Sequence, residues 1–442
     1  MNRRISASIL ITGMVTSLLT GCGGTTAGTG SSSGTTGKVS ASTQTTAAAT
    51  EKSASSGGDV VEIEYLNHKT ETEAINAMDK LIQKFESENP NIKVTQTTAP
   101  DFNTVIKTRA QTNDMPDVFS CSTNNTYEKM YADGLIMDLT GKDFLSNVSE
   151  ESLKLSEYQG KNWRLPYSLS LYGLYIRSDI FEKNGLKAPT TYEELMKDCE
   201  TLKSNGVTPF ICADQDSGVV GQRMERLMGI IDDTDDEFKK IAAGEMEPKD
   251  STVLNTYAKA QIDIANNTTD DSMGVDQESS YQNFVNGEGA MLINGTWTLA
   301  TLKNYDPDIK VSVIPFPNPT GKETKVPISI DTSFCISAET KHPAECLKFL
   351  EFLSKTENAQ IYCDGEGSPN VVNGVTYNKG EFKPIMEAVN SGKMFVSLNA
   401  IWPSGLRNEM RDAASNLIID KDAKEFVETA GSIIPDYYNN AK

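Results

Sequence analysis

Strand-like and helix-like segments alternate along most of this chain, and that alternation constrains its fold more than any other feature. Residues 60–66 alternate apolar and polar side chains as a half-buried strand does. Residues 71–89 follow with an apolar stripe of helical spacing, and Pro90 ends it. Strands separated by helices are typical of sheets with helical crossovers. The sequence therefore predicts the α/β class with a parallel sheet.

The same pattern continues towards the C-terminus. Further strands are predicted at residues 92–97, 117–120, 171–177, 209–213, 290–294 and 329–337, and an extended, proline-rich stretch at 311–325. Helices are predicted at residues 102–112, 126–132, 192–204, 279–286 and 343–354, with more helix between 380 and 438. In open α/β sheets, ligands bind beyond the carboxyl ends of strands. The loops after these strands are therefore expected to carry binding residues.

The N-terminus resembles an export signal that ends in a lipidation site. Arg3 and Arg4 precede an uncharged apolar run over residues 5–19, which is too short to span a bilayer of roughly 30 Å. The run leads into Cys22 through Leu-Thr-Gly, as in the lipobox of bacterial lipoproteins, so Cys22 is predicted to carry a lipid. The alternative is an ordinary secretory signal with an incidental cysteine. Residues 23–58 are mostly Gly, Ser, Thr and Ala, which predicts a flexible tether.

Length and charge limit what the rest of the chain can be. Residues 59–442 are too many for one ordinary hydrophobic core, so two domains are expected. The formal net charge is -20, and it becomes -22 when Arg3 and Arg4 leave with the signal. Nucleic acids need a basic face, so this charge argues against them. It also argues against a strongly anionic ligand, but it leaves room for a local basic pocket.

The sequence singles out neither catalytic nor metal-binding residues. It has no GxSxG elbow, P-loop or HExxH motif, and no carboxylate pair stands out among its 61 acidic residues. Its two histidines, His68 and His342, lie far apart, so no metal or other cofactor is expected. Six cysteines follow Cys22 without a CxxC pair. Buried free thiols are expected, with one disulfide left open.

The three tryptophans are more informative. Trp297 directly follows a predicted strand, and Trp402 precedes a proline and a glycine. An indole ring with a polar edge suits a sugar, which has apolar C–H faces and hydroxyl rims. Trp297 and Trp402 are therefore predicted to contact ligand, whereas Trp163 is predicted to lie in a core.

Three groups of segments carry a resemblance to a known family. They are residues 163–175 (WRLPYSLSLYGLY) with 179–185 (DIFEKNG) and 189–195 (PTTYEEL), residues 284–297 (FVNGEGAMLINGTW), and residues 334–337 (FCIS) with 343–350 (PAECLKFL). They resemble the family 1 extracellular solute-binding proteins, which include the maltose-binding proteins. The resemblance implies a periplasmic-binding-protein fold with two α/β lobes, hinge crossovers and a ligand cleft between the lobes. The implied division is a signal at 1–21, a tether at 22–58, an N-terminal lobe from 59–169 and 316–370, and a C-terminal lobe from 170–315 and 371–442.

The resemblance also implies ligand-binding positions. The family's cleft tryptophans match Trp297 and Trp402, and its crossover motif places Ser170 and Tyr172 at the cleft. Loops after the first and third strands add Asn67, His68, Ser120 and Asn124. Asp331 stands where many relatives have glycine, so it is either a hydroxyl-binding carboxylate or a hinge residue. Loop position adds Asp101, Gln222 and Ser368.

These features together predict a lipid-anchored receptor that binds a sugar and delivers it to an ABC importer. Its expected partners are the carbohydrate, the permease subunits of the importer, and the membrane through the N-terminal lipid alone. A monomer on the surface of a Gram-positive cell is favoured, with a Gram-negative periplasm left open. The rival hypotheses are a lipid-anchored carbohydrate-active enzyme, or the same fold binding a peptide, a polyamine or a phosphorylated solute.

Overall fold

A computed structural model of the chain describes residues 60–99, 101–122, 127–231, 233–403 and 405–440. Its helices are α1 (Thr72–Glu88), α2 (Phe102–Gln111), α3 (Glu128–Ala132), α4 (Glu150–Ser156), α5 (Ser178–Lys183), α6 (Tyr192–Ser204), α7 (Ser217–Ile231), α8 (Thr234–Ala242), α9 (Thr252–Ala265), α10 (Gln277–Val285), α11 (Thr298–Tyr305), α12 (Pro343–Leu353), α13 (Thr356–Glu366), α14 (Lys383–Asn390), α15 (Leu406–Asp420) and α16 (Ala423–Tyr438). Its strands are β1 (Val61–Asn67), β2 (Ile92–Thr98), β3 (Val118–Cys121), β4 (Glu157–Tyr158), β5 (Lys161–Asn162), β6 (Leu165–Arg177), β7 (Thr208–Ile211), β8 (Gly289–Gly295), β9 (Val311–Ile314), β10 (Val326–Ile336) and β11 (Met394–Val396). None of the helices in the described ranges is both long and apolar enough to cross a membrane.

Local sequence signals set several of these boundaries. Helix α1 ends two residues before Pro90, whose ring and missing N–H are incompatible with a helix interior. Helix α6 begins with a capping box, in which the side chains of Thr191 and Glu194 each accept a hydrogen bond from the other residue's backbone N–H. Helix α13 ends at Gly367, whose φ of 94° lies in the left-handed region that favours glycine.

Strand β6 runs through two parts of one sheet. Up to Leu171 it pairs with β10, and from Tyr172 onward it pairs with β8 and β9. The strand order is β2-β1-β3-β10-β6-β8-β7, with β11 beside β10 and β9 beside β6, while β4 and β5 form a separate pair. We call the strands β2, β1, β3, β10 and the start of β6 the first half-sheet. The end of β6 with β9, β8 and β7 is the second half-sheet.

The α/β class is confirmed, but the prediction of a parallel sheet is wrong at the centre. Strand β1 is parallel to β2 and β3, and β7 is parallel to β8. Strand β10 is antiparallel to β3 and β6, and β6 is antiparallel to β8 and β9. Both β6 and β10 are long strands, and the direction in which such strands pair is a long-range property. Local alternation of strand and helix does not encode it.

Each half-sheet is covered by its own buried clusters. Ile63, Phe85 and Leu165 pack together at the first half-sheet. Leu174 and Met224 pack in a separate cluster at the second. The two ends of β6 are therefore held in different cores. Each large apolar side chain buried there contributes roughly 1.5–3 kcal/mol. The six cysteines after Cys22 are buried free thiols in these surroundings.

Candidate ligand-binding site

A cavity of about 600 Å³ is lined by residues from both halves of the molecule. The loop after β1, helix α2 and the residue after β3 line one side, and α7, the start of α10, the loop after β8 and the start of α15 line the other. A second cavity of about 610 Å³ is lined only by residues numbered between 229 and 401. The first cavity is the candidate site, because the loops after β1, β3 and β8 converge on it, as expected for an α/β sheet.

His68 connects the loop after β1 to strand β10. Its Nε2 lies 3.1 Å from the carbonyl oxygen of Asp331, which can only accept, so Nε2 carries the proton. Its Nδ1 lies 2.8 Å from the hydroxyl oxygen of Ser120. Burial, and then the neighbouring Lys69 ammonium, lower the pKa of His68 to about 3. The imidazole is therefore neutral at physiological pH.

Lys69, Asp331 and Glu366 form a buried ionic cluster, in which Lys69 and Asp331 belong to the cavity wall. The Lys69 ammonium lies 2.6 Å from an Asp331 oxygen and 3.4 Å from a Glu366 oxygen. Burial lowers the pKa of Lys69, but the two carboxylates outweigh burial and raise that pKa well above its usual value. Burial raises the pKa of Glu366, against the opposing effect of Lys69. Ser368 supports the cluster by donating its backbone N–H and its hydroxyl to Glu366.

Trp297 lies at the end of β8 and forms part of the cavity wall. It is half-buried, and its ring centroid lies 6.4 Å from that of Tyr172. A Cβ added at Gly295 would fall 1.9 Å from the Trp297 ring, so only glycine leaves room for the indole there. The guanidinium of Arg226 lies 4.5 Å from the Tyr172 ring centroid and 5.9 Å from that of Trp297. Trp297 is thus held by a glycine, a tyrosine and an arginine.

Trp402 contributes less to the cavity than Trp297 does. It is 1% exposed, and it stacks on Phe238 with ring centroids 5.5 Å apart and an angle of 16° between the rings. It also belongs to the main cluster of the second half-sheet. Core packing therefore accounts for most of its surface, although it touches the cavity wall. Trp163 stacks on Tyr131 with centroids 5.4 Å apart and packs against a smaller cluster.

The structure brings half of the predicted ligand-binding residues to the cavity. The residues that line it are His68, Ser170, Gln222, Trp297, Asp331 and Trp402. Asn67, Ser120, Tyr172 and Ser368 are buried directly behind that lining, where they hydrogen-bond or pack against lining residues or their supports. Asp101 is exposed and caps α2 by accepting from the backbone N–H of Thr104. Asn124 lies outside the described residues.

Several cavity residues were missed by sequence reasoning. They include Lys69, Lys107, Arg226, Gln277, Asn399 and Arg407. A signal existed for Arg226, which lies four residues after the predicted residue Gln222 on α7 and therefore shares its helix face. Charged residues recur in this helix among valines, methionines and leucines, which is unusual for a buried helix. Arg407 lies in the first turn of α15 and Asn399 in a short 3-10 turn before that helix, and neither gave a comparable signal.

Comparison with known proteins identifies the family. The chain matches the model of the family described as bacterial extracellular solute-binding protein over residues 68–360. The chain belongs to this family. It is 29% identical over 385 residues to the multiple sugar-binding protein of Streptococcus mutans, a match that covers 84% of this chain and 90% of that protein.

Solved structures show the same fold. The solute-binding protein RafE in complex with raffinose matches with a TM-score of 0.78 and 24% identity, covering 86% of this chain and 100% of RafE. A sugar transporter protein from Bacillus licheniformis in complex with stachyose matches with a TM-score of 0.70 and 20% identity, covering 86% of this chain and 100% of that one. The two-lobed fold and the family resemblance read from the sequence are therefore confirmed. The family is one of extracellular binding proteins, not one of enzymes.

Proposed function

We propose that this protein captures a sugar or an oligosaccharide outside the cytoplasm and delivers it to an ABC importer. The observation that carries the proposal is the cavity of about 600 Å³, which combines one half-buried indole with polar side chains from both halves. The names of the relatives point the same way, since they concern multiple sugars, raffinose and stachyose. The size is within the range of about 300–1,000 Å³ that is usual for small-molecule sites.

In this proposal, Trp297 stacks on a sugar ring and polar side chains hydrogen-bond its hydroxyls. Ser170, Gln222 and Asp331 are the proposed hydroxyl partners from the sequence prediction, and Gln277 is added from the structure. An unmatched buried polar group costs about 1–3 kcal/mol, so hydroxyl pairing rather than stacking sets specificity. Trp402 is proposed to support the wall rather than to stack, because its ring is almost fully buried.

We propose that closure takes place by bending of the crossover strands between two lobes. The predicted division, 59–169 with 316–370 and 170–315 with 371–442, is kept with two adjustments. Val371 and Val372 pack in the cluster of the first half-sheet, so they are assigned to the N-terminal lobe. Phe316 and Ile328 pack in clusters of the second half-sheet, so residues 316–328 are assigned to the C-terminal lobe. The closed form is proposed to dock on the permease subunits as a monomer.

The proposed location is the outer surface of a Gram-positive cell membrane, reached through a lipid on Cys22, which lies outside the described residues. Replacement of Cys22 by Ser is expected to release the protein from the membrane fraction into the medium. Retention of the Cys22→Ser protein in that fraction would contradict the anchor.

A thermal-shift screen with sugars, peptides and amines tests the binding function. A ligand present at 100 times its dissociation constant stabilises the folded state by about 2.7 kcal/mol, which is a measurable rise in melting temperature. The expected result is a rise in melting temperature with at least one saccharide. Calorimetry should confirm that this saccharide binds, and no reaction product should form during incubation. A rise with peptides or amines alone would refute the proposal.

A further inference from the structure

The charges that line the cavity differ in sign from those of the whole chain. Among the described lining residues, Lys69, Lys107, Arg226 and Arg407 are cationic, whereas only Glu71 and Asp331 are anionic. The chain as a whole carries 61 acidic against 41 basic side chains. The cavity is therefore locally basic in an acidic protein.

The two halves of the wall differ in how these charges are balanced. On the side of β1 and β10, Lys69 is matched by Asp331 and Glu366. On the side of α7 and α15, the buried carboxylate of Glu225 is 3.3 Å from a nitrogen of Arg226. Glu225 also accepts from the hydroxyl of Ser397 and the backbone N–H of Asn399, at 2.7 Å each, so its oxygens are already engaged.

On the side of α7 and α15, Arg407 is the lining cation that has no counter-ion of its own among the described residues. It stands in the first turn of α15, lines the cavity and is half-buried, and its guanidinium has no hydrogen-bond or ion-pair partner among the described residues. Burial lowers the pKa of Arg407, Glu225 opposes that effect, and the cations Arg226 and Arg411 add to it. A negative charge placed in the cavity beside Arg407 would offset the cost of burying the guanidinium and its repulsion by Arg226 and Arg411.

We propose that the saccharide bound in this cavity carries one acidic group, a ring carboxylate or a phosphate ester, which is held by Arg407 with Arg226 beside it. This inference rests on the proposed sugar-binding function and narrows its ligand class. Guanidinium groups pair with carboxylate and phosphate oxygens through two parallel hydrogen bonds, and such charge-assisted bonds are about twice as strong as neutral ones. Trp297, close to Arg226, would then contact the ring that bears the acidic group.

Calorimetry on the mature protein with matched sugar pairs tests the inference. The carboxylate arm compares glucuronic, galacturonic and digalacturonic acids with their carboxyl-reduced counterparts. The phosphate arm compares glucose 6-phosphate and galactose 6-phosphate with the free sugars. At least one acidic sugar is expected to bind about ten- to a hundredfold more tightly than its neutral partner and to bind more weakly as salt is raised. The arm in which it occurs identifies the acidic group.

Variants separate a role in ligand binding from a role in folding. Arg407→Gln is expected to abolish the preference, so that the acidic sugar binds no more tightly than its neutral partner. Arg411→Gln is the matched control, because Arg411 lies one turn further along α15 and is not part of the cavity lining. It should leave the affinities for the acidic and the neutral sugar within about threefold of the wild-type values.

Two results would overturn the inference and leave sugar binding intact. In the first, every neutral sugar binds as tightly as its acidic partner. In the second, an acidic sugar binds Arg407→Gln as tightly as it binds the wild type. Absence of binding by every member of both series would overturn the inference alone, because the proposed function is tested by the wider thermal-shift screen. The comparison of acidic with neutral sugars on the unaltered protein does not depend on whether a variant folds.

Discussion

The buried cluster of Lys69, Asp331 and Glu366 allows a prediction about stability that can be worked through from the structure. The side chain of Lys69 is 6% exposed, that of Asp331 13% and that of Glu366 2%. Replacing Lys69 by Met keeps most of the side-chain volume but leaves two carboxylates close together without a cation. Removing one member of a buried ion pair costs about 3–5 kcal/mol, so Lys69→Met is expected to lose that amount at pH 8.

The same variant should respond to pH in a defined direction. The pKa of Glu366 is already raised by burial, and loss of the Lys69 ammonium raises it further. A carboxyl with a raised folded-state pKa stabilises the fold below its unfolded-state pKa and loses that contribution as pH rises through the folded-state value. The cost of Lys69→Met is therefore expected to be smaller at pH 5 than at pH 8.

Urea unfolding at pH 5 and pH 8, without sugar, measures both effects. Lys93→Met is the matched control, because Lys93 pairs with Glu86 at 2.7 Å but its side chain is 59% exposed. Such a surface pair contributes about 0–1 kcal/mol. The double variant Lys69→Met with Glu366→Gln should recover part of the loss. If Lys69→Met costs no more than Lys93→Met, or costs more at pH 5 than at pH 8, the reasoning about the cluster is wrong.

Two further predictions concern the cavity. Trp297→Ala is expected to weaken binding of the cognate sugar by roughly 1–3 kcal/mol with little loss of fold, and Gly295→Ala should weaken it too, since its Cβ would displace the indole. Calorimetry showing wild-type affinity for either variant would contradict the stacking role. In the folded protein His68 is neutral, with a pKa of about 3, whereas in the unfolded chain it takes up a proton below pH 6.5. Its contribution to the free energy of unfolding is therefore lost as pH falls from 6.5 towards 3. Between pH 6.5 and pH 5 the loss of stability amounts to at most about 2 kcal/mol. Urea unfolding should therefore show a smaller loss of stability in acid for His68→Gln than for the wild type. An equal or larger loss in the variant would refute this role of His68.

Much of the fold could be predicted because local patterns coincide with the elements. The predicted helix at residues 192–204 matches α6 in full, and the predicted strand at 92–97 falls one residue short of β2. Strand β6 was predicted only from residue 171, because its first half, LPYSLS, contains a proline, which is rare inside strands, although its apolar and polar residues alternate. Strand direction in the centre was wrong because it depends on pairing between residues more than 100 positions apart.

The candidate site was harder to predict, for reasons that differ between residues. Trp297 was found because a tryptophan directly after a strand is a clear local signal. The environment of Trp402 could not be read from the sequence, since the partner that covers its ring, Phe238, lies far away in the chain. The basic character of the cavity was hidden for a similar reason. Lys69, Arg226 and Arg407 come from three distant segments, and the overall acidity of the chain masks them.

The continuous path of β6 through both cores has a consequence for how this receptor can diversify. The two portions of the protein on either side of β6 cannot be exchanged with those of a relative as separate modules. A junction within this strand would remove side chains from one hydrophobic core or the other. New preferences have to be introduced at the rim, through side chains such as Arg407 that project from helix ends and loops. The shared strand keeps the frame constant while the chemistry at the rim changes.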